Sequence, residues 1–464
     1  MSTSPAGGPA FSLSRLRSHV TGRVIGPEDD GYDAARMVMY GGFDAEPCAV
    51  VLAADAGDVA TVIAVARETG LELAVRSGGH SGAGHSTSHG GIVLDLRDLR
   101  SVEIDVAGRT AWAGPGVTAG EYTVAAGEHG LATGFGDTGS VGLGGLTVGG
   151  GVGYLVRKFG MTIDDLLAAE IVTADGQLLR VDADSHADLF WAIRGGGGNF
   201  GVVTRMQLRL HEVGQVVGGM LVLPATAATV AGFIAAAEAA PEELSTIANV
   251  MNCPPLPFVA EEHYDTPVIM ALVCWAGDVE EGMQALAPFN ALAEPLASFV
   301  RPMPYPEIYP PEDPDYHPTA VGRTLFVDRV DDDVAKSIVA HLEDSDASLR
   351  VAQLRVLGGA LARVPADATA YAHRSSRIMV NVAAFYDGEE DRVRRTAWVE
   401  EFASSLNQGD GGAYVNFVAD EGPDRVRAAY PGATWDRLRA VKATYDPSNL
   451  FRLNQNIPPA VTSA

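Results

Sequence analysis

Three glycine clusters fall in the first 201 residues: "RSGGHSGAGH" (76–85), "GLGGLTVGGGVG" (142–153) and "RGGGGNFG" (194–201). Glycine at this density costs entropy on ordering and gives a core no side chain to pack. Such backbone suits tight turns, or loops whose N–H groups face the phosphates of a large ligand. One cluster is explained by turns alone; three in one stretch favour a phosphate-bearing cofactor.

The flanking pattern narrows the choice. "GDVATVIAVARETG" places Val59, Val62, Ile63 and Ala66 on one helical face, with Gly70 closing it. "LELAVRS", "GIVLDL" and "RTAWAGPGV" read as strands, and "LAAEIVTADGQLLRVD" as a hairpin around Asp175-Gly176. Gly196, Gly198 and Gly201 satisfy G-x-G-x-x-G, but "DLFWAIR" before them reads as helix and "VVTRMQLRL" after them as strand. A Rossmann site needs the reverse order, so that a helix N-terminus meets the pyrophosphate. No G-K-[ST] follows any cluster, which excludes a P-loop. "GHSGA" approaches a nucleophile elbow at Ser81, but glycine and then a strand follow it instead of the required helix, leaving a serine hydrolase a weak second reading. His80, His85 and His89 have no carboxylate suitably among them, so no metal site is expected.

Beyond residue 211 glycine thins out. "ATAATVAGFIAAAEAA" reads as helix, and "VIMALVCW" and "SRIMVNVAAFY" as strands. "RPMPYPEIYPPEDPDYHP" (301–318) is too proline-rich for helix or central strand and is expected as a long loop, either a channel wall or a solvated linker. A helix, "WDRLRAVKATY", stops at Asp446-Pro447. A formal charge of −26 opposes nucleic-acid binding. Three dispersed cysteines, Cys48, Cys253 and Cys274, give no disulfide framework. With no apolar run of spanning length and no signal-like N-terminus, no membrane association and a cytoplasmic location are expected.

Taken together, "VRSGGHSGAGHS", "GGLTVGGGVGYLVRKFG", "LFWAIRGGGGNFGVVT" and "YDPSNLFRLNQNIPP" resemble, in that order, the berberine-bridge-enzyme-like flavoproteins of the vanillyl-alcohol oxidase / p-cresol methylhydroxylase (PCMH) superfamily. The resemblance spans residues 32–459. It implies an α+β fold: a PCMH-type FAD-binding domain of two α/β subdomains (32–210), a substrate domain with an antiparallel sheet backed by helices (211–410), and a C-terminal segment (411–464) returning to the first domain. It implies FAD as cofactor, covalently attached through His80, with Arg76, Ser77, Gly78, Gly79, Ser81 and His85 around it. Thr138 stands where many relatives carry a second, cysteinyl link, so a single bond is expected. Thr138, Val141, Gly142, Gly145 and Leu146 are expected along the isoalloxazine and ribityl chain, and Gly149, Gly150, Gly151 and Gly153 along the pyrophosphate. Glu170 and Val172 are expected near adenine, Asn199 and Val202 in the third cluster, and Asn454 and Asn456 against the ring system.

The implied reaction is that of an oxidase: hydride leaves a C–H beside a hydroxyl or amine of a small-molecule substrate, and O2 is reduced to peroxide. A secondary-metabolic oxygenase and a dehydrogenase with another acceptor are the alternatives. Tyr414, in a Y-x-N-[YF] motif, is the expected base. Gln353 and Arg355 alternate on a strand and so share one face. If that face is the cavity floor, Arg355 lowers the Tyr414 pKa or binds an acidic substrate.

Overall fold

The computed structural model describes residues 11–461 and contains three principal sheets. The first is ordered Arg23–Ile25, Ala49–Leu52, Ile92–Asp95, Leu73–Arg76, with its last three strands parallel. Helix Ala56–Thr69 provides the crossover. Asp55 caps its first turn, Gly70 at φ 69° ends it, and the predicted stripe of Val59, Val62, Ile63 and Ala66 is fully buried. The second sheet is antiparallel: Val102–Asp105, Thr110–Ala113, Val202–Arg209, Leu166–Val172, Leu178–Asp182. Its last pair is the hairpin expected around Asp175-Gly176. The glycines 195–198 lie between helix Ala187–Ala192 and strand Val202–Arg209, the order that argues against a Rossmann site.

His211–Glu212 still pairs with Leu131–Ala132, and the chain enters the third sheet at Gln215–Pro224. That sheet is antiparallel, running Ala297–Ser298, Gln215–Pro224, Pro267–Trp275, Leu244–Asn252, Arg350–Val356, Ile378–Phe385, Ala320–Val327. Period-two alternation splits its faces. Ala352, Leu354, Val380 and Val382 pack with Phe233, Ile338 and Phe402 of helices Ala227–Ala239, Asp332–Asp344 and Gly388–Leu406. The opposite face carries Asn249, Gln353 and Asn381 in direct register, turned toward the glycine-rich half.

Two segments differ from the sequence reading. The second glycine cluster is not all loop: Leu143–Gly149 is helical. Its glycines give clearance to neighbouring segments, since a Cβ on Gly144 would lie 2.9 Å from Pro115 Cβ and one on Gly149 1.8 Å from Asn416 Oδ1. In the proline-rich segment, Arg301–Pro304 is an edge strand on Gln215–Pro224, where a missing N–H is tolerated. Tyr305–Ile308 then forms a 3₁₀ turn with Tyr305 and Ile308 buried, leaving only the remainder as loop.

The tail is locked by charge. Lys442 Nζ, with no solvent exposure, donates to Asp446 Oδ2 (2.7 Å), Asn199 O (2.7 Å) and Phe451 O (2.9 Å). This ties helix Ala433–Tyr445 and the final segment to the third glycine cluster. Among the described residues no helix is long and apolar enough to cross a membrane, and all three cysteines are free.

Candidate active site

A cavity of about 430 Å³ lies between the glycine-rich loops and the third sheet. From the first cluster Ser77, Gly78, Gly79, His80, Ser81 and His85 line it; from the second and the loop before it Thr138, Val141, Gly142, Gly145, Leu146 and Gly151; from the third and the strand after it Asn199 and Val202. Tyr414, Asn416 and Phe417 come from the tail together with Asn454, while Asn381, Gly322 and Ala383 come from the large sheet. The loops meet so closely that a Cβ on Gly78 would sit 2.4 Å from the Gly142 nitrogen, and Gly79 takes φ +77°. Only glycine meets both demands at little cost.

The sequence candidates Arg76, Gly149, Gly150, Gly153, Glu170, Val172, Gln353, Arg355 and Asn456 are not on the cavity wall. Arg76 is buried beneath it, paired with Asp95 and donating to the carbonyls of Ala35 and Met37. Gly149, Gly150 and Gly153 face protein instead of the cavity. A Cβ on Gly150 would strike Met161 and Tyr414 at 2.7 Å, and one on Gly153 would strike the Phe135 carbonyl at 2.1 Å. Val172 is core, and Glu170 lies on the second sheet opposite Arg180 and Arg205. Asn199 lines the cavity, but its amide is committed to Gly196 O, Gln455 O and the Ile457 N–H. Gln353 and Arg355 lie behind the wall. Arg355 donates to Val152 O, Gln353 Oε1 and Asp137 Oδ2 (2.6 Å), and Gln353 passes on to Asn249 Oδ1 at 2.8 Å. With its donors engaged and 4% exposure, Arg355 is not a receptor for an acidic substrate; it braces Asp137.

Tyr414 is buried, and its phenolic oxygen accepts from the Gly151 N–H (2.7 Å) and from Asn416 Nδ2 (3.1 Å). Burial pushes its pKa up to about 12, against the opposing pull of those donors and of Arg355. Burial lowers the pKa of His80, opposed by the charge of Glu312 and by Ser140; His85 is lowered by burial too, opposed by Asp420 and Glu72. His80 Nε2 lies 3.2 Å from Ser140 Oγ.

This assembly has counterparts. A family model for an FAD binding domain matches residues 47–182, and one described as "Berberine and berberine like" matches 413–458. The chain is 30% identical over 461 residues to (R)-6-hydroxynicotine oxidase of Paenarthrobacter nicotinovorans, covering 95% of this chain and 97% of that protein. The chain belongs to the berberine-bridge-enzyme-like FAD-linked oxidoreductases. Within this family it is also 32% identical to an uncharacterised FAD-linked oxidoreductase of Bacillus subtilis, YvdP, over 96% of this chain and 99% of the relative. The crystal structure of 6-hydroxy-D-nicotine oxidase from Arthrobacter nicotinovorans superposes with TM-score 0.85 at 28% identity, covering 95% of this chain and 98% of the other. The protein is therefore an FAD-dependent oxidase of small molecules with the expected α+β fold.

The residues present fit FAD. The Cβ-free loops leave an open cradle, and the buried Oδ1 atoms of Asn454 and Asn456 have no partner among the described residues. Asn454 is on the cavity wall, where a bound cofactor would supply the missing donor. The sequence reading overlooked Asp137, Asn381 and Asn416. Asp137 was detectable as the neighbour of Thr138 at the cysteine position. Asn381 carries no local signal, because only strand register brings it to the cavity.

Proposed function

We propose that this oxidase carries its FAD on a single covalent bond to His80, and that it oxidises a C–H adjoining a hydroxyl or amine of a small substrate. Support for the attachment site comes from one observation: His80 is a half-buried imidazole of lowered pKa on the cavity wall, whereas none of the three cysteines lines the cavity and Thr138 stands at the alternative position. When bound, FAD supplies the two-electron acceptor and passes the electrons on to O2. The protein supplies orientation and proton handling. Both acceptor positions on the Tyr414 oxygen are filled by N–H donors, so its own O–H is free to donate to the substrate's oxygen or nitrogen. A phenol with its pKa near 12 serves better as a donor than as the base expected from the motif. Asp137, a carboxylate on the cavity wall held by Arg355, receives the substrate proton in this reading. The amine option follows the relative named for 6-hydroxynicotine; an alcohol or hydroxylated ring meets the same groups.

The experiment is an intact mass after acid denaturation, paired with a peroxide-coupled screen of alcohols, phenols and cyclic amines. Wild type should retain the FAD mass and His80→Ala should lose it. Retention by His80→Ala would refute the attachment site. Undiminished turnover by Asp137→Asn would refute the proton acceptor.

A further inference from the structure

The proline-rich segment packs beside the cavity, against the loop that follows Gly136. Tyr309 donates to Gly136 O (3.0 Å), His317 Nδ1 lies 3.1 Å from Met39 O, and Gly41 N–H donates to Pro318 O (3.1 Å). Between these anchors the exposed Glu312 reaches the loop at Gly139 and Ser140. Its Oε1 accepts the N–H groups of Gly139 (2.8 Å) and Ser140 (3.1 Å), and its Oε2 accepts the Ser140 hydroxyl. The same Ser140 oxygen faces His80 Nε2.

The direction of this chain of hydrogen bonds is fixed by what each group can do. An ionised carboxylate only accepts, so the Ser140 proton is committed to Glu312. The Ser140 oxygen then meets the imidazole only as an acceptor, which requires the proton on His80 Nε2 and leaves the lone pair on Nδ1. We propose that Glu312 and Ser140 are positioning residues for cofactor attachment, holding His80 in the tautomer that presents Nδ1 as the nucleophile and giving its Nε2 proton a path outward to the exposed carboxylate. This rests on the reading of His80 as the attachment residue. His80 Nδ1 gains a bond to the 8α-methyl carbon; one C–H of that methyl and the Nε2–H are lost. The two hydrogens and their electrons go to O2, giving one H2O2.

The test uses full-length protein made in riboflavin-limited cells and supplied with FAD in air. Covalent incorporation is followed as intact mass in acid-quenched samples, and FAD binding before the quench as visible absorbance. Wild type gains the FAD mass with time and His80→Ala does not; mass gain by His80→Ala overturns the attachment reading and not the relay alone. Glu312→Gln keeps an acceptor for the two backbone N–H groups, but its amide can donate to Ser140 and so reverse the chain. Its initial rate should fall about tenfold, as expected for one misdirected polar contact, with binding before the quench unchanged. Glu312→Asp, which keeps the charge, should restore most of the rate. Incorporation by Glu312→Gln at the wild-type rate, or an Asp variant as slow as Gln, overturns the proposal. Should Glu312→Gln fail to fold, Ser140→Ala and Ser140→Thr decide: slow for Ala and normal for Thr supports the relay, and equal rates overturn it.

Discussion

The two walls of the cavity are made differently. The glycine-rich wall presents backbone, with Gly78 and Gly142 crossing at distances no side chain allows. The wall from the large sheet presents side chains in register, Asn381 at the surface and Gln353, Asn249 and Arg355 behind it. The first wall is built by excluding atoms and the second by choosing them. Exclusion tolerates almost no substitution, whereas a side-chain wall can be re-specified position by position while the sheet behind it persists. This is how one scaffold comes to hold one cofactor and varied substrates.

The comparison can be broken most directly at Gly153. Its Cβ would meet the Phe135 and Gly136 carbonyls at 2.1 and 2.4 Å, backbone that cannot swing aside. Gly153→Ala should cost about 3 kcal/mol or leave no folded protein, measured by denaturant unfolding. A mild phenotype would mean that the backbone packing behind the glycine wall is looser than its contacts say. Next in size is Tyr414→Phe, which removes a tail hydroxyl that lines the cavity. We expect kcat to fall about 100-fold with acid-stable FAD retained. With the Tyr414 pKa raised to about 12, the phenol stays protonated throughout the neutral range. The pH–rate profile between pH 6 and about 10 should therefore keep its shape in the variant; a lost alkaline limb would restore Tyr414 as the base.

Arg355→Met tests the side-chain wall. It strands Asp137, Gln353 Oε1 and the Val152 carbonyl, and should cost about 2 kcal/mol of stability. Activity should drop while the FAD content stays unchanged. Loss of FAD instead would mean that the two walls are not separable. The smallest effect is expected at Gly214, where a Cβ meets nothing within 4 Å and φ lies outside the left-handed range. Gly214→Ala should stabilise by about 0.5 kcal/mol, by restricting the unfolded chain.

How much was readable follows the same division. Helix Ala56–Thr69, the hairpin at Asp175-Gly176 and the helix-then-strand order around the third cluster were all legible, because local periodicity and turn residues dictate them. The helix at Leu143–Gly149 was hidden, since its glycines oppose helix propensity and pay off only in clearance from Pro115 and Asn416. The Y-x-N-[YF] motif around Tyr414 pointed to the cavity, but not to the two N–H donors that turn its proton outward. Arg76 belonged to the right motif and yet faces away from the cavity, because alternation along strand Leu73–Arg76 aims its side chain at Asp95.

The sequence by itself determined where side chains are forbidden. Clustered glycine leaves few physical explanations, and the resemblance carried by the four motifs implied a flavin cradle with His80 and His85 beside it. Tertiary structure alone decided which polar groups converge on that cradle: Asp137 braced by Arg355, Asn381 delivered by register, Glu312 reaching Ser140 from 172 residues away. Absence of a Cβ is a property of a residue. The direction of a proton depends on partners brought together from distant parts of the chain, and only the fold sets those.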